Sequence, residues 1–173
     1  ALLICAAALA GCAVVRQPGA YPAGELLSGR LSVRVDASAG AEARSMSAAF
    51  ELEGDPAAGR FGLVSPLGSL LAQARWQPGQ VVLATPQGET RFADLDSLTR
   101  EMLGEPLPVA ALFDWLHGRP WRGAASTATQ PPAEPGFEQL GWSVNLARFD
   151  EAWVSARRAQ APAVTVRAKL DRP

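Results

Sequence analysis

Two periodicities divide the chain. Across residues 30–35 the order Arg-Leu-Ser-Val-Arg-Val alternates polar and apolar positions strictly. That is the period of a strand with one face buried and the other wet. Met46, Ala48, Phe50 and Leu52 repeat the alternation against Ser45, Ser47 and Glu51, and Phe61 and Leu63 continue it. Leu70, Ala72, Ala74 and Trp76 alternate in turn with Leu71, Gln73 and Arg75. The turn sequences Pro78-Gly79 and Pro86-Gln87-Gly88 set off further strands at 81–84 and 90–92. Connections this short predict an antiparallel meander.

After residue 93 the period lengthens. Asp94 or Asp96 can cap a helix that carries Leu95, Leu98 and Met102 on one side and stops at Gly104. Pro108 suits the first turn of a second helix. Its apolar stripe is Val109, Leu112, Phe113 and Leu116 with Trp115 beside it, and Gly118 and Pro120 end it. Residues 123–136, rich in Ala, Ser, Thr and Pro, read as a flexible loop. Alternation returns at Trp142, Val144 and Leu146, and again at Val164, Val166, Ala168 and Leu170. Many strands, two helices and more strands predict a mainly β, α+β domain with helices gathered on one face of an antiparallel sheet. A strongly curved sheet with helices across its open side would enclose an apolar space.

The first eleven residues change the picture. Residues 1–11 form an apolar run too short to span a bilayer, which takes roughly 20 residues. They read as a signal peptide clipped at its start. Leu9-Ala10-Gly11-Cys12 resembles the bacterial lipobox, in which small residues let a peptidase reach the backbone and the Cys thiol takes a diacylglycerol. Cys12 is thus the expected lipidation site. Residues 12–25, with Pro18, Gly19, Pro22 and Gly24, form a tether, and 26–173 the domain. The other of the two cysteines, Cys5, falls in the discarded segment, so no disulfide is available and the fold rests on its core. Roughly 160 mature residues suffice for one such core. A net charge of −1 gives no footprint for nucleic acid.

Catalytic chemistry finds little support. His117 is the single histidine, placed at a helix end where it suits terminal carbonyls and the helix dipole. One histidine and one lipidated cysteine do not make a typical zinc site. Phosphate-binding and nucleophile-elbow motifs are missing. The nearby carboxylates Asp94 and Asp96 are better explained as a helix cap. The expectation is a non-enzyme without metal or cofactor beyond the lipid on Cys12.

Several segments carry a family resemblance: Gly29-Arg30-Leu31-Ser32-Val33-Arg34, Ser65-Pro66-Leu67-Gly68-Ser69, Leu107-Pro108, Trp115-Leu116-His117-Gly118 and Gly141-Trp142. In this order, after a lipobox, they resemble the LolB family of outer-membrane lipoproteins, from Cys12 to about Leu170. Ala13, which is not an aspartate, resembles lipoproteins released to the outer membrane. The resemblance implies a half-open β-barrel with a helical lid over an apolar cavity. Its partners would be the periplasmic carrier LolA, client lipoproteins with their acyl chains, and outer-membrane phospholipid, with the chain itself a monomer. It further implies that Leu67, between Pro66 and Gly68, protrudes to meet the membrane. Read from its residues alone, Leu67 could equally be a buried hairpin residue. Candidate cavity aromatics are Phe50, Phe61, Trp76, Trp115 and Trp142, each of which could also be plain core. The rival class is a structural or assembly lipoprotein that binds a protein partner and has no lipid cavity. The chain ends at Asp171-Arg172-Pro173, short of the aromatic that such a last strand would reach.

Overall fold

The computed structural model describes residues 26–65 and 67–171. The signal segment 1–11, Cys12, the tether 12–25 and Pro66 lie outside the described residues. Six strands come first: β1 (Leu27–Val35), β2 (Arg44–Gly54), β3 (Gly59–Val64), β4 (Leu70–Gln77), β5 (Gln80–Thr85) and β6 (Gly88–Phe92). Helices α1 (Leu95–Leu103) and α2 (Val109–Leu116) follow. Five strands close the chain: β7 (Ser126–Ala128), β8 (Gly136–Gln139), β9 (Trp142–Asn145), β10 (Trp153–Arg158) and β11 (Val164–Leu170).

All eleven strands form one antiparallel sheet in the order β6-β5-β4-β3-β2-β1-β11-β10-β9-β8-β7. Two meanders therefore run outward from a central seam in which β1 pairs with β11, Val33 opposite Val166. Edges β6 and β7 are consecutive in the chain yet lie at opposite ends of the sheet. At about 4.8 Å per strand these edges are roughly 48 Å apart. The chain between them must cross a face of the sheet, and α1 and α2 make that crossing over its apolar side.

The expectation of a strongly curved, half-open β-barrel is not met: the sheet is neither closed nor strongly curled. Strong curvature needs bulges or glycine kinks repeated across many strands. The strand pairs described here contain one register shift, between Leu63 and Val64 of β3. The expected loop at 123–136 is also corrected in part. Ser126, Thr127 and Ala128 pair with Gln139, Glu138 and Phe137. All three residues of β7 are exposed, so this edge strand buries no face and leaves no periodic signal. Strand β10 was not foreseen, because its inward positions, Val154 and Ala156, are one valine and one small residue.

A sheet this wide is not covered by two short helices, and its apolar face gathers into two clusters. The first holds Phe50, Leu52, Trp76 and Leu83 under Leu98, Phe113 and Leu116. The second holds Val33, Val144, Val154 and Val166 around Trp115, Phe137 and Trp142. One polar side chain is built into the second. Buried Gln139 accepts the Trp115 indole N–H at 2.8 Å and the Trp121 backbone N–H at 2.9 Å. It donates to the carbonyls of Trp121 at 2.7 Å and Ala124 at 2.8 Å. Its amide is satisfied on all sides and ties α2 to β8 and to the segment between them.

Gln139→Ala strands the Trp115 N–H in an apolar interior, where an unmade hydrogen bond and the vacated space together destabilise by about 3 kcal/mol. Urea unfolding should show this loss. Gln139→Leu combined with Trp115→Phe should fall short of the summed single losses, because it removes the indole donor together with its acceptor, while the Trp121 and Ala124 backbone partners stay unpaired.

Candidate functional site

Between the sheet and the helices lies an apolar cavity of about 100 Å³. Its sheet side includes Leu31, Met46, Phe50, Phe61 and Trp76; its helix side includes Leu98, Met102, Leu112 and Leu116. Phe50 and Phe61 stack with centroids 5.9 Å apart. Trp76 meets Phe113 of α2 edge-on at 5.8 Å, and its indole N–H donates to the Asp55 carbonyl at 3.0 Å. Besides the satisfied Trp76 indole, Thr99 is the one lining residue with a polar side-chain group. Its hydroxyl is already used, donating to the Leu95 carbonyl at 3.1 Å and accepting from the Leu107 N–H at 2.9 Å. Nothing in the wall offers a polar ligand a partner, so the space suits hydrocarbon.

The two helices that roof it are held unequally. In α2, Ala111, Phe113, Trp115 and Leu116 are buried, and the helix straddles both clusters. Trp115 packs against Phe137 and Trp142, with centroids 6.4 and 6.0 Å away, and is pinned by Gln139. In α1 only Leu98 and Thr99 are buried. Met102, a lining residue, is 39% exposed and marks where the cavity meets solvent. Asp94, not Asp96, is the cap, accepting the Ser97 N–H at 2.7 Å. Hydrogen bonds from Ser97 hold its pKa below the ordinary carboxylate value. The cap is therefore complete at neutral pH and is lost as pH falls through that lowered value.

Beyond α1 the chain is fixed at once. Gly104 ends the helix in the left-handed conformation, with φ +83°. Next to it, Glu105 accepts from Arg158 of β10 at 2.6 Å, in a pair less than a quarter exposed. Arg158 also donates to the Pro162 carbonyl at 3.2 Å and lies 5.8 Å from the Trp142 ring. Removing one partner of so shielded a pair leaves an uncompensated charge. Helix α1 thus lies between a short turn after β6 and the Gly104 cap, beyond which the backbone is anchored.

Of the sequence candidates, Phe50, Phe61 and Trp76 line the cavity. Trp115 and Trp142 do not; they belong to the second cluster. Leu31, Met46, Leu98 and Met102 went unforeseen, since aliphatic lining and aliphatic core share one sequence pattern. Leu67 is 94% exposed. The Ser65 hydroxyl accepts the Leu67 and Ser69 N–H groups at 3.3 and 3.1 Å, and the Ser65 carbonyl accepts the Gly68 N–H at 2.9 Å. Gly68 has φ +81°, which a side chain would strain. Leu70 and Leu71, each about half exposed, extend the apolar patch at the start of β4. His117 Nδ1 lies 2.6 Å from the Phe113 carbonyl, at the end of α2. Among the described residues no cluster of metal-binding side chains occurs.

Comparison with known proteins adds an independent result. A family model described as outer membrane lipoprotein LolB matches residues 26–171. The outer-membrane lipoprotein LolB of Bordetella pertussis is 35% identical over 155 residues, covering 86% of this chain and 77% of that protein. That of Cupriavidus pinatubonensis is 42% identical over 106 residues, covering 60% and 51%. The Chromobacterium violaceum protein of the same name is 32% identical over 122 residues, covering 70% and 63%.

The unequal anchoring of the helices predicts unequal opening. Hydrogen exchange at neutral pH should find amides in the second half of α1 exchanging at least about tenfold faster than those at the end of α2. Equal protection would mean that the two helices move as one body.

Proposed function

Because the chain belongs to the LolB family of outer-membrane lipoproteins, we propose that it accepts lipoproteins from the periplasmic carrier LolA and delivers them to the outer membrane, holding their acyl chains under α1 and α2. LolB proteins are carriers without catalytic activity, lipid-anchored on the periplasmic face of the outer membrane. The observation that carries the finer reading is the wall of the cavity, apolar on both the sheet and helix sides. Each methylene moved from water into such a wall gains about 0.8 kcal/mol. A chain handed from carrier to receptor to bilayer can then move down a gradient of affinity without an energy source.

The cavity as it stands is smaller than the client. An engineered cavity of about 150 Å³ accepts benzene, and an acyl chain needs several times that space. In this reading α1, the helix with fewer buried residues, moves aside to admit the chain while α2 stays in place. Leu67 serves the other end of the transfer. A leucine held out on a tight turn gains about 1.5–3 kcal/mol on entering a bilayer. Cys12 supplies the anchor in this reading.

Cys12→Ala should block lipidation, so the variant should lack the added lipid mass and no longer partition with membranes. Met102→Glu places a charge at the cavity mouth on a partly exposed helix face, so the protein should fold and take up a fluorescent lipopeptide about tenfold more weakly. Leu67→Glu should leave folding and uptake from LolA intact and reduce insertion of the client into membranes, scored as a separate stage. Folded protein that takes up no lipid would return the chain to the class of lipoproteins that bind only a protein partner.

A further inference from the structure

The face of the sheet turned away from the helices carries an uneven charge. Register places Arg30 of β1 directly opposite Lys169 of β11, which is in turn opposite Trp153 of β10. In the next row Arg167 lies between Ser32 and Ser155. In the third, Thr165 lies between Arg34 and Arg157. In these nine positions three neighbouring strands present five cations, and the other four are Ser32, Ser155, Thr165 and Trp153. Carboxylates occur at the margin, where Glu151 pairs with Arg148 at 2.6 Å next to Trp153. Asp36, just past the end of β1, pairs with Arg34 at 2.9 Å; Asp171, just past β11, bonds Ser28 at 3.0 Å; and Glu51 lies opposite Ser28 on β2. Arg30, Arg157 and Arg167 are exposed and make no ion pair among the described residues.

This pattern is not one that sheet stability selects. Like charges directly opposite on adjacent strands destabilise, and here Arg30 faces Lys169. The chain as a whole has a net charge of −1, so the concentration is local. A half-buried tryptophan completes it: the Trp153 ring lies 5.6 Å from the Lys169 ammonium, which donates to the Glu151 carbonyl, and 5.5 Å from the Arg148 guanidinium, which is paired with the Glu151 carboxylate. An amphipathic ring among cations is the composition of a surface at the level of lipid headgroups.

We propose that this outer face of β1, β11 and β10 docks on the anionic phospholipid headgroups of the membrane to which the chain is anchored. The proposal rests on the family reading for the membrane itself. An acidic protein would satisfy the same charges, but the surface lies on the opposite side of the sheet from the cavity, so hand-over at the cavity mouth does not use it. The bilayer, by contrast, is always within reach of an anchored protein. Docking there would turn the helices and the cavity mouth toward the periplasm, where a carrier arrives.

The test uses the lipidated chain reconstituted in vesicles of phosphatidylethanolamine, alone or with about one-third phosphatidylglycerol. A fluorophore on Ser155→Cys, in the middle of the face, reports access to acrylamide. Quenching should fall about threefold in the anionic vesicles and recover in high salt. The triple variant Arg30→Ser, Arg157→Ser, Arg167→Ser should also restore it, with an unchanged unfolding curve because these side chains are exposed. Equal quenching in the two vesicle types overturns the proposal, as does protection that survives the triple variant. Protection that arises only when LolA is added assigns the face to a protein instead. Client transfer measured on the same vesicles keeps the readings apart. Transfer without the lipid effect sinks the docking face alone, and the lipid effect without transfer sinks the carrier role alone.

Discussion

The fold depends on one contact, the pairing of the first strand with the last. With β1 and β11 joined at the centre, the two meanders can only grow outward, and their outer strands, β6 and β7, become opposite edges of one sheet. The chain that links those edges has to traverse a face, and only one face is apolar. Helices α1 and α2 are where they are because of that path. The cavity follows as well, since two helices of about 13 Å each cannot cover a sheet roughly 48 Å wide.

The two clusters differ in how directionally each part of the roof is attached. The second cluster is held by directional contacts as well as by burial: the Gln139 amide, the Trp115–Trp142 contact and the Glu105–Arg158 pair all converge on it. The first cluster meets α1 through Leu98 and little else that is fully buried. In the proposed loading, α1 moves while α2 stays fixed, and an apolar guest enters without unfolding the sheet. Non-directional apolar contacts suit the loose half, because they can be exchanged for contacts with a guest of any detailed shape.

The sequence made legible whatever was written as a period or a cap. Strands β1 to β6, both helices, β9 and β11 alternate or repeat visibly, whereas the residues around Leu67 left its exposure open and only the family resemblance pointed to it. Curvature was not legible, because it depends on where registers shift, and the resemblance to a family led to an expectation of a barrel that the strand pairing does not form. Strand β7 was missed because an edge with no buried face carries no alternation. The division of the aromatics was hidden for a related reason. Trp76 and Trp115 both sit on apolar faces, and only the place of β4 in the sheet and the path of α2 across it decide which cluster each one joins. The row of cations was hidden too, since Arg30, Arg157 and Arg167 become neighbours only when β1, β11 and β10 are aligned.

The central seam also sets a timetable. Gly29 finds its partner in Leu170, close to the other end of the described chain. Contacts between residues so distant in sequence form late and slow the search for the native state. A chain emerging amino end first can assemble β1 to β6 early, but β1 then remains an open edge, with Leu31, Val33 and Val35 along it, until β11 arrives. Such an edge invites pairing with other chains. The interval between the appearance of β1 and the arrival of β11 is therefore when this protein is most exposed to misassembly, and the step that ends it completes the sheet.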